Sequence, residues 1–179
     1  MTKILIYIML ISIVLMILLS NTACSLTLDE EVKLKHKLEQ TCIDYNKTCE
    51  VIFSTNSNVQ AFTTPYNRII ITSGLSNKLG YNEVQAIGFH EVGHVILEHC
   101  KRHFEATYKL YPISKQQKII LYHTHEVEAD LFATMIARKE NMKNYLPIAL
   151  EKIVPKYYRN KASLTHPSVN QRIKIMKSY

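Results

Sequence analysis

The sequence predicts an α+β fold, in which one small β-sheet packs against a mainly helical body. Two observations support this class. Runs rich in Val, Ile, Phe and Thr are confined to residues 50–72, and the chain after residue 80 carries helix-forming patterns with capping signals. The 179 residues include only 4 Gly and 5 Pro, without a linker-like stretch after residue 25. Residues 24–179 are therefore expected to form a single domain.

The first elements are one helix and three short strands. Three acidic residues near Leu28 occupy the first turn of a helix predicted over residues 28–45, where negative charge is stabilising. Strands are predicted at residues 50–54, 59–64 and 68–72, with a turn at Pro65-Tyr66-Asn67 between the last two. Ser73-Gly74 ends this section of the chain.

Four helices are predicted after the strands. The first begins at a capping box formed by Asn82 and Gln85 and runs to about residue 104. The second begins at a box formed by Ser114 and Gln117 and runs to about residue 140. The third covers residues 146–158, and the last follows Pro167 with Ser168 as a cap.

The positive charge of the chain is confined to its end. The formal net charge is +7, and residues 1–142 are neutral overall, because the last 37 residues hold eight basic side chains and one acidic one. A nucleic-acid-binding protein would carry this charge along a binding face, so no nucleic-acid partner is expected. Intrinsic disorder is also excluded, since 47% of the residues are hydrophobic.

The N-terminus resembles an export signal. Lys3 precedes an apolar run from Ile4 to Leu19, and small residues follow it up to Cys24. Residues 1–23 are thus a predicted signal peptide or membrane anchor. Three outcomes remain open: cleavage before Cys24 with lipidation of that cysteine, cleavage after Ser25, or no cleavage. The prediction is an exported protein of the bacterial periplasm, tethered to a membrane as a lipoprotein.

Export permits disulfide bonds, and the sequence offers one local pair. Cys42 and Cys49 are close enough in the chain to be the candidate bond. Cys100 is interpreted as a small core residue at the end of a helix.

The strongest chemical signal is the HExxH pattern at residues 90–94. Residues four apart lie on one face of a helix, so His90 and His94 can both reach one Zn²⁺ at about 2.0–2.1 Å. Glu91, next to the first histidine, is suited to hold a water molecule at the metal and take its proton.

A second helical stretch supplies a candidate third ligand. Glu126 and Asp130 are four residues apart and share one helix face. Glu126 completes the three protein ligands that a catalytic zinc needs, and Asp130 can accept the remaining N–H of a ligand histidine. The alternative HExxHxxGxxH scheme fails, because Cys100 stands at the position of its last histidine.

Three motifs together resemble a known family. They are residues 90–94 with His99 five positions on, residues 126–130 as ExxAD, and His166-Pro167 with Arg172. In this order they resemble the HtpX and CAAX prenyl protease type I family of membrane-associated zinc endopeptidases, of the gluzincin class. The similarity covers about residues 55–175 and is closest to small members exported as lipoproteins.

The resemblance implies a zincin-like fold with roles for particular residues. It implies a zinc-binding helix pair, a small mixed sheet and C-terminal helices that close the site. His90, His94 and Glu126 would bind one Zn²⁺, and Glu91 would be the general base. The residues expected to act around this centre are Asp130, which orients a ligand, Arg172, which pairs with Asp130, His99, which supports the ligands, and His166. His166 would either stabilise the developing oxyanion or occupy the open position and keep the enzyme latent.

The other histidines have simpler interpretations. His36 and His125 are expected to face solvent, and His123 is a candidate for lining the site. The strands have two interpretations: they are core elements only, or one with an unpaired edge accepts an extended peptide by strand addition.

The predicted function is a zinc-dependent metalloendopeptidase of the cell envelope that cleaves unfolded or damaged envelope proteins. The alternative is a non-catalytic, zinc-stabilised chaperone-like or adaptor lipoprotein. The presence of Glu91 favours the enzyme, because metal binding alone does not need it. The expected partners are an extended polypeptide and a membrane.

Overall fold

The computed structural model describes residues 25–108 and 113–179, and these form a helical body with one three-stranded sheet. The predicted signal or anchor segment and Cys24 lie outside the described residues. The elements are α1 (Leu28–Asp44), β1 (Glu50–Ser54), β2 (Ala61–Thr63), β3 (Arg68–Thr72), α2 (Ser73–Ser76), α3 (Tyr81–Ile96), α4 (His99–Tyr108), α5 (Lys115–Lys139), α6 (Leu146–Ile153), a 3₁₀ turn (Lys156–Tyr158) and α7 (Val169–Ser178). The α+β class is confirmed. Within the described part, no helix is both long and apolar enough to cross a membrane.

The sheet is mixed, as predicted. Its strand order is β1-β3-β2, with β3 parallel to β1 and antiparallel to β2. Ile69 and Ile71 of the central strand are buried in the core, whereas Phe62 of the edge strand β2 is exposed. The predicted bond between Cys42 and Cys49 is present and ties the end of α1 to the chain just before β1.

Helix boundaries follow the predicted caps at two of the later helices. Ser114 and Gln117 form the capping box of α5, and Ser168 caps α7 together with Gln171. The Asn82–Gln85 box was a wrong prediction. Gly80 is the N-cap of α3, and the Glu83 carboxylate accepts the Gly80 N–H, which satisfies one of the free donors at the helix start.

Two predicted helices end earlier than expected. The helix predicted to reach residue 104 stops at Ile96, because Glu98 adopts a left-handed conformation with φ 54° and α4 starts anew at His99. The helix predicted over residues 146–158 stops at Ile153, since Pro155 disfavours helical geometry in the residue before it, and a short 3₁₀ turn follows.

Close packing of α3 against α5 positions the two motif-bearing helices. A Cβ atom added at Gly93 would lie 3.1 Å from Ala129 Cα and 3.2 Å from Phe132 Cβ. The glycine of the HExxH segment and the alanine of the ExxAD segment therefore allow the two helix backbones to approach closely. This approach brings the polar side chains of both helices to one buried place.

Candidate metal centre

Three predicted ligand side chains meet between α3 and α5. The Nε2 atoms of His90 and His94 are 3.1 Å apart. Nε2 of His90 lies 3.5 Å from Glu126 Oε2, and Nε2 of His94 lies 3.4 Å from Glu126 Oε1. His90 and Glu126 are buried, and one ligand atom from each of the three residues lies within 4.8 Å of the others.

These separations suit a tetrahedral zinc site. Two ligand atoms bound at about 2.0–2.1 Å with tetrahedral angles are about 3.3–3.4 Å apart. The two histidine nitrogens are 3.1 Å apart, and each lies 3.4–3.5 Å from a different oxygen of Glu126, which is close to this value. Glu126 Oε2 is also buried and makes no hydrogen bond among the described residues, although Arg172 Nη1 lies 3.3 Å away, so this oxygen has room to accept a further partner such as a metal ion. Two imidazoles and a carboxylate are a donor set that zinc accepts.

Asp130 and Arg172 form a buried pair beside His90. Arg172 Nε and Nη2 each donate to an Asp130 carboxylate oxygen at 2.7 Å, in the bidentate geometry that Arg favours. The same carboxylate lies 2.9 Å from His90 Nδ1, and Arg172 Nη1 lies 3.3 Å from Glu126 Oε2. The structure thus contains the predicted Arg172–Asp130 contact and places Asp130 where it can orient His90.

The charges of this cluster shift the pKa values of its members. Burial opposes the charged form of His90, but Asp130 and Glu126 outweigh it and raise the pKa of His90 to about 10. Burial would raise the pKa of Asp130, but the Arg172 guanidinium holds it below its usual range. The pKa of Glu126 is likewise well below normal, because His90, His94 and Arg172 outweigh burial.

Glu91 is held by the edge strand of the sheet. Thr63 Oγ1 on β2 lies 2.8 Å from Glu91 Oε2 and 3.0 Å from the backbone oxygen of Glu91. Glu91 itself is buried. Because Thr63 is distant in the sequence, no local pattern could have predicted this contact.

His166 approaches the cluster from the C-terminal segment. Its Nε2 lies 3.5 Å from Glu126 Oε2, its Nδ1 lies 2.7 Å from Thr165 Oγ1, and 53% of the side chain is exposed. Burial lowers its pKa below the usual value. The basic C-terminal segment therefore contributes both His166 and Arg172 to the site. The other residues of the site come from the neutral first part of the chain.

The remaining histidines and Cys100 differ from several expectations. His125 was expected to face solvent, but it is 3% exposed and its ring stacks on His99 with centroids 4.2 Å apart. It was missed because the face of α5 that carries it is covered by α4, a long-range contact. His123 points to Ser163 O at 2.9 Å. Cys100 is half-buried near the start of α4 and not a core residue at a helix end, with Sγ 3.8 Å from Thr63 O.

His99 lies directly behind His94. Their Nδ1 atoms are 2.8 Å apart, and His99 Nε2 is 2.9 Å from Glu128 Oε2. Burial and then the neighbouring positive charges lower the pKa of His99 to about 2, and burial lowers that of His125 to about 4.

One comparison with known proteins identifies the family of this chain. A model of peptidase family M48 matches residues 30–121, which is half of the chain and includes the HExxH helix. The chain belongs to peptidase family M48. This family is zinc-dependent, in accord with the His90, His94 and Glu126 cluster. The second-helix residues Glu126 and Asp130 lie beyond the matched span. A search of curated proteins gives no significant match.

Proposed function

We propose that this M48 peptidase is a zinc metalloendopeptidase in which His90, His94 and Glu126 hold a single Zn²⁺. The observation that carries the proposal is that the Nε2 atoms of His90 and His94 are 3.1 Å apart, and each lies 3.4–3.5 Å from an oxygen of the buried Glu126 carboxylate. When bound there, zinc supplies a Lewis acid that acidifies water and polarises a carbonyl group.

The protein's own groups have distinct tasks in peptide hydrolysis. Glu91 takes a proton from the attacking water and later gives it to the leaving amine. The Thr63 hydroxyl, 2.8 Å from Oε2, holds the Glu91 carboxylate in place for both transfers. His90 is oriented by Asp130, whose position is fixed by Arg172.

His166 is proposed to stabilise the negative charge that develops on the carbonyl oxygen. Its Nε2 faces Glu126, a carboxylate that accepts hydrogen bonds, so a proton on Nε2 suits this environment better than a free lone pair. A donor role therefore fits better than metal ligation. His166→Ala should lower kcat with little change in zinc affinity. Increased activity would instead assign His166 to a latent state.

The substrate is proposed to be an extended, unfolded polypeptide. The outer edge of β2 has no strand partner among the described residues, and Thr63 on this strand contacts Glu91. A peptide added along this edge by backbone hydrogen bonds would pass beside the general base. This mode reads little sequence, which suits the removal of damaged proteins.

The proposed setting is the bacterial cell envelope, as a lipoprotein-like member of the HtpX and CAAX protease branch. This proposal rests on the apolar run from Ile4 to Leu19 and on Cys24. Mass spectrometry of the mature N-terminus tests it. A lipid-modified Cys24 would support it, whereas an unprocessed Met1 in a soluble cell fraction would contradict it.

Glu91→Gln tests the catalytic assignment. We expect casein cleavage to fall at least about 100-fold, because the general base is lost, while one zinc still binds per chain. Full activity in this variant would refute the role of Glu91. Stoichiometric zinc without turnover of any denatured substrate by the wild type would favour the alternative of a zinc-stabilised adaptor.

A further inference from the structure

A tight turn brings His99 back against the zinc helix. Helix α3 ends at Ile96, Glu98 takes a left-handed φ of 54°, and Glu98 N–H donates to Val95 O at 3.1 Å. Such a φ is uncommon outside Gly and Asn and marks a position that the surroundings must hold. Lys47 forms an ion pair with the Glu98 side chain. Because of this turn, His99 does not continue the helix and instead lies behind His94.

Four side chains then form a continuous chain leading away from the metal centre. His94 Nδ1 is 2.8 Å from His99 Nδ1, and His99 Nε2 is 2.9 Å from Glu128 Oε2. Arg102 Nη1 donates to the same Glu128 oxygen at 2.7 Å. His99 is 3% exposed, and Glu128 and Arg102 are each partly exposed at the outer end.

Each link of the chain fixes the next. An ionised carboxylate only accepts hydrogen bonds, so His99 Nε2 must carry a hydrogen towards Glu128. A neutral imidazole then has a lone pair on Nδ1, which requires His94 to donate from its own Nδ1. In that tautomer, Nε2 of His94 presents its lone pair towards His90 and Glu126.

Arg102 holds the Glu128 carboxylate in place. Its Nη1 donates at 2.7 Å to the Glu128 oxygen that also lies 2.9 Å from His99 Nε2, so this oxygen is kept against the His99 ring. For Nε2 of His94 to bind a metal, the hydrogen of that ring must be on Nδ1, which makes His99 Nδ1 the acceptor.

We propose that His99, Glu128 and Arg102 are positioning residues that fix the tautomer and orientation of His94 for zinc binding. This inference rests on the proposed zinc site. A histidine ligand held through a second histidine differs from the direct carboxylate contact that Asp130 makes to His90, so the two ligands would be supported in different ways.

A second metal site is the competing interpretation of this region, since His99, His125 and Glu128 place ligand atoms within 4.8 Å of one another. Two features oppose this. The His99 and His125 rings are stacked, with 4° between their planes, and the nitrogen lone pairs of parallel stacked rings cannot aim at one ion. The Arg102 guanidinium also occupies the Glu128 oxygen that a cation would need.

Zinc affinity of the full chain, measured by competition with a chromogenic chelator, tests the inference. His99→Leu keeps similar volume but removes the chain, and we expect the zinc Kd to rise about 10–100-fold. His99→Gln can both accept from His94 and donate to Glu128, so its Kd should stay within a few-fold of wild type. His125→Phe is the matched control, because it keeps the stacked ring and should leave the affinity unchanged.

Long-range ¹H–¹⁵N correlation NMR of the histidine rings reports which nitrogen of each ring carries the hydrogen. A general loss of stability would not change this result, and the measurement uses the wild-type protein. In the zinc-loaded wild type, His94 should carry its hydrogen on Nδ1 and His99 on Nε2. A hydrogen on His99 Nδ1, or an unchanged Kd in His99→Leu, would overturn the inference. Two zinc ions in the wild type and one in His125→Phe would assign a second metal site instead. A wild type that binds no zinc would reject the proposed function itself, and this inference with it.

Discussion

The Asp130–Arg172 pair offers a test in which stability and metal binding are separated. Asp130 is 1% exposed and accepts two hydrogen bonds from Arg172, which is 5% exposed. Asp130→Leu would leave a buried guanidinium without its bidentate partner. Removing one member of a buried ion pair costs about 3–5 kcal/mol. Glu126 remains 3.3 Å from Arg172 as a partial partner, so we expect the lower end, about 3 kcal/mol.

The double variant Asp130→Leu, Arg172→Met separates the two effects. Apolar residues in place of both charges are often neutral, so most of the lost stability should return. Zinc affinity should remain about 10–100-fold weaker, however, because His90 Nδ1 has lost the carboxylate at 2.9 Å.

Urea unfolding in the presence of EDTA measures the free energy of unfolding without a contribution from bound metal. For a chain of this size, 3 kcal/mol corresponds to a fall in Tm of about 6–12 °C. Lys101→Ala, which removes an exposed pair with Glu98, is the control and should cost at most about 1 kcal/mol. The reasoning is refuted if Asp130→Leu costs less than about 1 kcal/mol, or if the double variant loses the sum of both single variants.

Three further predictions address the helix contact, the general base and the protons. Gly93→Leu should abolish zinc binding, because its Cβ would lie 3.1 Å from Ala129 Cα and push α3 away from α5. The control Gly88→Ala meets only the flexible Leu38 side chain, so it should destabilise the fold without loss of zinc binding. Equal loss of zinc in both variants would contradict this. Thr63→Val should lower kcat about five-fold, the value of one hydrogen bond, with unchanged zinc content; an unchanged kcat would remove Thr63 from the mechanism. The raised pKa of His90, about 10, keeps this residue protonated at pH 7. Zinc binding should therefore release about one proton from His90, and the zinc affinity should weaken as the pH falls. Calorimetry in buffers of different ionisation enthalpy counts the released protons, and a count of zero would contradict the prediction.

The stability of the metal-free protein should also follow the shifted pKa values. His90 has a folded-state pKa raised from 6.5 to about 10, so its contribution is present below about 6.5 and is lost as the pH rises through 10. Asp130 has a lowered pKa, so its contribution is present above the unfolded value of about 3.9 and is lost as the pH falls below it.

Local sequence signals predicted those parts of the fold that depend on local physics. The Ser114 and Ser168 caps hold because each side chain bonds to a backbone donor three residues away. The end of α3 was missed, because Glu98 carries a left-handed φ without the Gly or Asn that usually signals it. Only the surrounding structure, including Lys47 from a distant part of the chain, accounts for that turn.

In the site, too, the local spacings were predictable from the sequence and the long-range contacts were not. His90 and His94 share a helix face, and so do Glu126 and Asp130, so their spacing predicted two clusters that the structure brings together. The contacts of Thr63 with Glu91 and of Glu128 with His99 join residues 28 and 29 positions apart, and no periodicity encodes them. These contacts depend on the packing of β2 and α4 around α3.

The position of the bound metal tests the central claim most directly. Anomalous diffraction at the zinc edge from crystals of the zinc-loaded chain should show one peak, about 2.0–2.1 Å from Nε2 of His90 and Nε2 of His94 and at a similar distance from a Glu126 oxygen. A zinc ion bound instead by His99, His125 and Glu128, or by the Cys100 sulfur at about 2.3 Å, would contradict the account.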